Sequence, residues 1–274
     1  MFCINSKYFC IIVCSSFLLI GCTAPELRLD QEAERLNFKR LIVQGSPFTH
    51  IAYLHKAQSL SDELHVYLDG DGTPWLNHGY ISNNPTPRSP MLLRMMAQDT
   101  VASVYLGRPC YHGLNFHLHC NSKLWTNERY SLKVITSISI ALKQLLTLQP
   151  TRKLVLIGYS GGGALAMLMA EHINELSSVV TIAGNLDIEA WTRLHHYSPL
   201  TGSINPAQRP PLNMKIYQLH LAGKKDQNVP LQIIQPTVKR QYAAKIMVMP
   251  EFDHHCCWQE AWPKLLKIIQ ANSK

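Results

Sequence analysis

The sequence feature that most constrains the fold is a serine flanked by glycines at residues 158–162. The string Gly-Tyr-Ser-Gly-Gly directly follows an apolar run at 153–157 and precedes a stretch of small and apolar residues at 163–170. This order predicts a buried strand, a sharp turn and a closely packed helix, because glycine tolerates strained backbone angles and close approach. Ser160 would then lie at the helix N-terminus, which favours negative charge.

Strand and helix patterns alternate along most of the chain. Two β-rich runs, Phe38 to Gln44 and Thr49 to Ala57, are separated by Gly-Ser-Pro and predict a leading hairpin. Further strands and helices then alternate up to a closing amphipathic helix at 258–271. This order predicts one α/β domain with a mostly parallel sheet, in which ligand sites lie at the carboxyl ends of the strands.

The N-terminal segment is typical of a secreted chain. Lys7 precedes thirteen mostly apolar residues, Tyr8 to Ile20, which suit a signal peptide and are too few for a membrane span. The segment ends in Leu-Ile-Gly-Cys, which resembles the lipobox of bacterial lipoproteins. The resemblance implies lipidation of Cys22, and the alternative is plain secretory cleavage with Cys22 incidental.

The lipobox resemblance divides the chain into three parts. We predict a lipoprotein signal peptide over 1–21, a tether with a possible short helix over 22–37, and the α/β domain over 38–274. Thr23 follows the predicted lipidated cysteine, and in lipoproteins of this type a non-aspartate there implies outer-membrane sorting. The expected location is therefore the bacterial envelope, with a lipid anchor in the outer membrane.

The charge of the chain bears on its partners, and its cysteines bear on disulfide bonding. The chain has a net charge of +8 but no dense cluster of Lys and Arg, so we predict no nucleic-acid partner. Of eight cysteines, three lie in the predicted signal peptide and one is the predicted lipidation site. The other four are Cys110, Cys120, Cys256 and Cys257.

Four cysteines in an oxidising compartment predict disulfides with three possible connectivities. A bond between Cys110 and Cys120 would close a short loop and leave Cys256 and Cys257 as a vicinal pair, while two crossed pairings stay open. No C-x-x-C motif or paired-histidine spacing accompanies these cysteines. We therefore predict no metal site.

A nucleophilic serine needs a base, and the base needs a third group that fixes its tautomer. Asp226 follows a predicted strand at 215–221, and His254 follows the last predicted strand. Two nearby residues are alternatives: Asp187 as the acid, if Asp226 only caps the next helix, and His255 as the base. Asp253 is expected to point elsewhere.

With the order Ser160, Asp226, His254, the chain resembles the α/β-hydrolase family over about residues 38–271. The Gly-x-x-Asp-x-x-Val-Pro stretch at 223–230 is similar to the acid loop of that family. The resemblance implies an α/β-hydrolase fold with helices on both faces of the sheet. The irregular segment 184–213 would form a small cap-like insertion.

The glycine-rich turn Asp69-Gly70-Asp71-Gly72 follows the third predicted strand. The family often shows His-Gly-Gly here, so the first aspartate departs from its pattern. The resemblance implies an oxyanion hole formed by the backbone N–H groups of Asp71 and Gly161. The Asp71 side chain should turn away, because a carboxylate would repel an oxyanion. A Ca²⁺ loop is the alternative, but it needs regularly spaced oxygens and a distal Glu.

These features together predict a serine hydrolase anchored in the envelope. It would cleave an ester or thioester, or else a lipid or amide, through an acyl-enzyme and without a cofactor. Its expected partners are a small-molecule or lipid ester and the membrane. Two other functions stay open: a non-catalytic binding module on the same fold, and an acyltransferase that uses the same three residues.

Overall fold

A computed structural model describes residues 24–56, 62–148 and 153–272. Eight strands in these ranges form one sheet. The strands are β1 (Lys39–Gln44), β2 (Thr49–His55), β3 (Glu63–Leu68), β4 (Ala102–Leu106), β5 (Lys153–Tyr159), β6 (Leu176–Ile182), β7 (Tyr217–Gly223) and β8 (Ala244–Met249). The α-helices are α1 (Pro25–Arg35), α2 (Met91–Met96), α3 (Leu132–Leu148), α4 (Gly161–Met169), α5 (Ile188–Leu194), α6 (Leu231–Val238) and α7 (Trp258–Asn272).

The strand order across the sheet is β1-β2-β4-β3-β5-β6-β7-β8. β1 pairs antiparallel with β2, and β2 pairs antiparallel with β4. All the remaining neighbours pair parallel. The predicted hairpin and mostly parallel sheet are therefore confirmed, and the carboxyl ends of β3, β5, β7 and β8 lie along one edge.

Helices cover both faces of the sheet. Helices α3, α4 and α6 share one apolar core with Leu154 and Leu156 of β5. Helices α1, α2 and α7 share the other core with Val155 and Ile157 of the same strand. Successive side chains of a strand point to opposite faces, so a continuous apolar run suits a strand that is buried on both sides.

The segment 22–37, predicted as a tether with a possible short helix, is helical over most of its described part. Residues 25–35 form α1, and its apolar face packs against the domain because Leu29 and Ala33 are buried. Asp30 of this helix also accepts a hydrogen bond of 2.6 Å from the Tyr53 hydroxyl on β2. The helix is thus part of the folded unit. The predicted signal peptide and Cys22 lie outside the described residues.

The four remaining cysteines form the first of the pairings considered. Cys110 is bonded to Cys120, with their Cα atoms 5.6 Å apart, and Cys256 is bonded to its neighbour Cys257. No helix within the described ranges is both long and apolar enough to cross a membrane.

Candidate active site

Ser160 occupies the sharp turn between β5 and α4. Its backbone has φ 52° and ψ −119°, a combination that a residue with a side chain adopts only when the surroundings impose it. Its N–H donates to the Ile182 carbonyl oxygen over 2.9 Å. A Cβ atom at Gly158 would collide with the Gly162 backbone, and one at Gly162 would collide with the Leu68 carbonyl. Glycine at both positions therefore lets the helix lie close to the strands.

Ser160, His254 and Asp226 form a chain of hydrogen bonds at the carboxyl edge of the sheet. The Ser160 Oγ lies 3.0 Å from Nε2 of His254, and Nδ1 of His254 lies 2.8 Å from Oδ2 of Asp226. The other carboxylate oxygen of Asp226 accepts backbone N–H bonds from Asn228 and Val229. Asp226 therefore orders the loop before α6 and also faces the histidine.

The alternative acid and base residues have other partners. Nδ1 of His255 contacts the Tyr159 hydroxyl at 3.1 Å, and Asp253 accepts the backbone N–H groups of His255 and Cys256. Asp187 caps α5 by accepting the Ala190 N–H. The structure thus brings His254 and Asp226, rather than these alternatives, to Ser160.

The loop that carries His254 is tied to the nucleophile turn. The Tyr159 hydroxyl donates to the His254 carbonyl oxygen over 2.9 Å, and the indole N–H of the buried Trp258 lies 3.2 Å from the same oxygen. Tyr159 immediately precedes Ser160, so the serine and the histidine are positioned by one local network.

The turn after β3 lies against Ser160. A Cβ atom at Gly70 would come within 3.3 Å of the Ser160 Cβ. Asp69 accepts the Gly70 N–H over 2.8 Å and the Tyr105 hydroxyl over 3.0 Å. Burial raises the pKa of Asp69 to about 6, although these hydrogen bonds and Arg108 favour its charged form.

Asp71 makes contacts that no local sequence pattern indicates. Its carboxylate lies 2.8 Å from Nη1 of Arg129 and 2.8 Å from Nη2 of Arg108, and it accepts the Tyr130 hydroxyl over 2.7 Å. Burial alone would raise the pKa of this carboxyl, but the two arginines outweigh burial and hold the pKa below its usual value. The carboxylate is therefore held by cations and a hydroxyl. The oxyanion role of the Asp71 and Gly161 N–H groups stays a prediction.

A cavity of about 1650 Å³ opens over Ser160 and His254. It is larger than the several hundred Å³ of an ordinary small-molecule pocket. Part of its wall comes from the predicted cap-like insertion at 184–213 and part from the loop at 73–81. Apolar and aromatic side chains dominate these two parts of the wall, namely Trp75, Leu76, Ile81, Trp191, Tyr197 and Leu200.

Three other Ser or Thr hydroxyls contact an imidazole in the described part of the chain. Ser137 Oγ lies 2.7 Å from Nε2 of His50, Thr181 Oγ1 lies 2.8 Å from Nδ1 of His220, and Ser103 Oγ lies 3.2 Å from Nδ1 of His55. The first two pairs are fully buried, and in the third Ser103 is buried and His55 is partly exposed. None of the three pairs lines the cavity. Among the same described residues, no group of three His, Cys, Asp or Glu side chains could hold a metal ion.

Comparison with known proteins bears on the fold. No protein-family model matches the sequence, and no curated protein matches it. Several solved structures are similar in shape. Est1E from Butyrivibrio proteoclasticus, solved with ferulic acid bound, is 13% identical with a TM-score of 0.64, and the match covers 85% of this chain and 98% of that one.

Two further similar structures cover most of both chains. An esterase from Pyrococcus furiosus is 13% identical over 93% of this chain and 96% of its own, with a TM-score of 0.62. The proline iminopeptidase of Mycobacterium smegmatis is 10% identical over 86% of this chain and 99% of its own, with a TM-score of 0.65. With the sheet order and the helices on both faces, these similarities show that the chain has the α/β-hydrolase fold.

Proposed function

We propose that this protein is a serine hydrolase that forms an acyl-enzyme on Ser160. The observation that carries the proposal is the hydrogen-bond chain from Ser160 through His254 to Asp226 at the base of an open cavity. A histidine that bonds a serine on one nitrogen and a carboxylate on the other is held in the tautomer that accepts the serine proton.

The proposed reaction has two halves. Ser160 Oγ attacks the substrate carbonyl carbon while Nε2 of His254 takes the hydroxyl proton, and the same proton passes to the leaving alkoxide or thiolate. Water then attacks the acyl-enzyme, gives one proton to His254 and releases the acid, and the proton returns to Ser160. Asp226 stabilises the imidazolium in both halves. The backbone N–H groups of Asp71 and Gly161 are proposed to bind the oxyanion.

We propose an ester or thioester with a sizeable apolar part as the substrate. The cavity volume and its wall of aromatic and aliphatic side chains support this class. Two of the similar structures are named as esterases or were solved with ferulic acid, and one is named as an iminopeptidase. Amide cleavage is therefore a second reaction to assay.

Labelling with a fluorophosphonate probe tests the proposal directly, because such probes react with activated serines. We expect the wild type to label and Ser160→Ala to lose both labelling and esterase turnover. Ser137→Ala is the matched control, since it removes another serine that is bonded to a histidine, and it should label normally. A wild-type protein that does not label would favour a binding module instead, and ester transfer to an added alcohol in place of hydrolysis would indicate an acyltransferase.

We also propose that the mature protein is anchored to the bacterial outer membrane through lipidated Cys22. The lipobox-like end of the N-terminal apolar segment supports this. Metabolic labelling with a palmitate analogue should mark the wild type but not Cys22→Ser. Equal labelling of both proteins would refute the anchor and leave the proposed chemistry untouched.

A further inference from the structure

A buried ionic cluster surrounds Asp71 beneath the proposed oxyanion hole. Its carboxylate is bound by two guanidinium groups and one tyrosine hydroxyl at 2.7–2.8 Å. Its backbone carbonyl oxygen accepts a second tyrosine hydroxyl over 2.9 Å. The side chain and the backbone carbonyl of Asp71 are therefore both fixed. We call the five residues the Asp71 cluster: Asp71, Arg108, Tyr111, Arg129 and Tyr130.

The partners of Asp71 are themselves held in place. Arg108 lies over the rings of Tyr111 and Tyr130, with its Cζ 5.8 and 5.5 Å from their centroids. Arg129 donates from Nε to the Thr126 carbonyl oxygen over 2.6 Å. The side chains of both arginines are only 4% exposed. Such support fixes the orientation of a group that contacts a reactive site.

The cluster and its neighbour Asp69 bring two buried arginines together with two carboxylates. Arg108 and Arg129 both contact the Asp71 carboxylate, and Arg108 also favours the charged form of Asp69. Burying ion pairs costs free energy, and an apolar replacement would often be as stable. Fold stability alone therefore does not account for an ionic cluster at this place.

The cluster touches both residues of the proposed oxyanion hole. Asp71 would supply one N–H group, and its side chain lies against Gly161, which would supply the other. A Cβ atom at Gly161 would collide with Oδ1 of Asp71 and come within 2.5 Å of the Tyr130 hydroxyl oxygen. The Asp71 carboxylate itself therefore lies against Gly161, and the two arginines that bind it offset its negative charge next to the place where the transition state would develop negative charge.

We propose that the Asp71 cluster positions the oxyanion hole, and that its two arginines neutralise the Asp71 carboxylate that lies against it. This inference rests on the proposed hydrolase function. Asp71 takes the place of a simple glycine turn: its fixed side chain and carbonyl hold its own N–H group in one direction. In this role Arg108, Arg129, Tyr111 and Tyr130 are positioning residues, which act through the Asp71 backbone and not on the substrate.

Removing one tyrosine hydroxyl at a time tests the proposal and keeps every charged residue of the cluster. Tyr111→Phe and Tyr130→Phe should each lower kcat roughly tenfold, part of the 10²- to 10³-fold loss that follows removal of a whole oxyanion donor. KM for a short p-nitrophenyl ester should change less than about twofold, because the interaction acts in the transition state. Affinity for a trifluoromethyl ketone, which binds as a tetrahedral adduct, should fall in proportion to kcat.

Tyr53→Phe is the matched control. Tyr53 is also buried and donates its hydroxyl to a carboxylate, that of Asp30, away from the cavity. It should lower the melting temperature as the other two variants do and leave kcat unchanged. Asp71→Asn extends the test: it should lower kcat further than either tyrosine variant, and if it fails to fold the tyrosine variants still decide.

Two results would overturn the inference. One is an unchanged kcat in both Tyr111→Phe and Tyr130→Phe. The other is an equal loss of affinity for the substrate and the ketone, as expected of a purely structural role. Failure of the underlying hydrolase function would look different, since either the wild type would show no turnover or Ser160→Ala would keep it, and the tyrosine variants would then report nothing about an oxyanion.

Discussion

Two serines among the described residues lie within 3.0 Å of a histidine nitrogen, yet only one of them is placed for chemistry. Ser160 and His254 lie at the base of the cavity, whereas Ser137 and His50 are fully buried between α3 and β2. The serine–histidine distances are 3.0 and 2.7 Å, so distance does not distinguish them.

The second partner of each histidine makes the difference. Nδ1 of His254 faces the Asp226 carboxylate, which would stabilise a positive imidazolium. Nδ1 of His50 faces only the Gly107 carbonyl oxygen, and burial lowers the pKa of His50 to about 4. A base that resists protonation cannot activate a serine near neutral pH. A hydroxyl–imidazole contact therefore indicates catalysis only with a carboxylate and an open cavity beside it.

Replacing His254 gives the largest expected effect, and replacing His50 is the matched comparison. We expect His254→Gln to lower kcat/KM for an ester roughly 10⁵-fold, because the base is lost. His50→Gln should keep kcat/KM within about tenfold and lower the melting temperature, because it alters a buried hydrogen-bond pair. Steady-state assays and thermal unfolding of both variants check this. Equal losses of activity would remove the distinction between the two sites.

The carboxylate is the next feature to test. We expect Asp226→Asn to lower kcat roughly 10⁴-fold, since the amide favours the wrong tautomer of His254 and does not stabilise its charged form. Asp187→Asn is the matched control, because Asp187 caps α5 and does not contact the histidine. A pH–rate profile with single-turnover kinetics measures both. If Asp187→Asn proved the more damaging variant, the acid would have to be reassigned.

Acid stability gives the smallest effect and concerns the buried pair of His50 and Ser137. The pKa of His50 is about 4 in the folded protein and near 6.5 in an unfolded chain. The contribution of neutral His50 to the free energy of unfolding is fully present above pH 6.5. It is lost as pH falls toward 4, because the unfolded state then binds more protons than the folded state. The loss amounts to roughly 3 kcal/mol.

Unfolding in urea between pH 4 and 7 measures this dependence. His50→Gln should show a flatter decline than the wild type over that range, although His112, whose pKa burial also lowers to about 4, keeps part of the slope. Identical pH dependences of stability in the two proteins would show that His50 does not change its protonation state on unfolding in this pH range.

Much of the fold follows from local sequence pattern. The eight strands and the helices after β5 and β7 come from apolar runs bounded by glycine and proline, which are short-range signals. The contacts of Ser160, Asp226 and His254 also follow, because the ends of parallel strands meet at one edge. Strand order was beyond such reasoning, since β4 lies between β2 and β3 only after folding.

The Asp71 cluster shows where local pattern fails. The sequence of 107–126, which contains Arg108, indicated only a loop rich in His and Cys, and Arg129 was expected in the first turn of a helix over 127–148 that begins at Leu132 instead. Their pairing with Asp71 depends on how that loop folds back over the sheet edge, which no local signal encodes. Helix α1 was underestimated for a similar reason: its two buried residues, Leu29 and Ala33, are one turn apart in a polar sequence, and only the domain surface gives them a partner.

Under the proposed anchor at Cys22, the packing of α1 would limit how far the domain could lie from a membrane. The helix begins at Pro25, three residues after Cys22, and three residues of extended chain span only about 10 Å. A flexible stretch from 22 to 37 would have let the domain move to a wider range of distances from the membrane surface. An anchor at Cys22 would instead keep it at the bilayer surface, with a restricted range of tilts. The substrate concentration at the active-site cavity would then be the concentration in the lipid layer and at its surface.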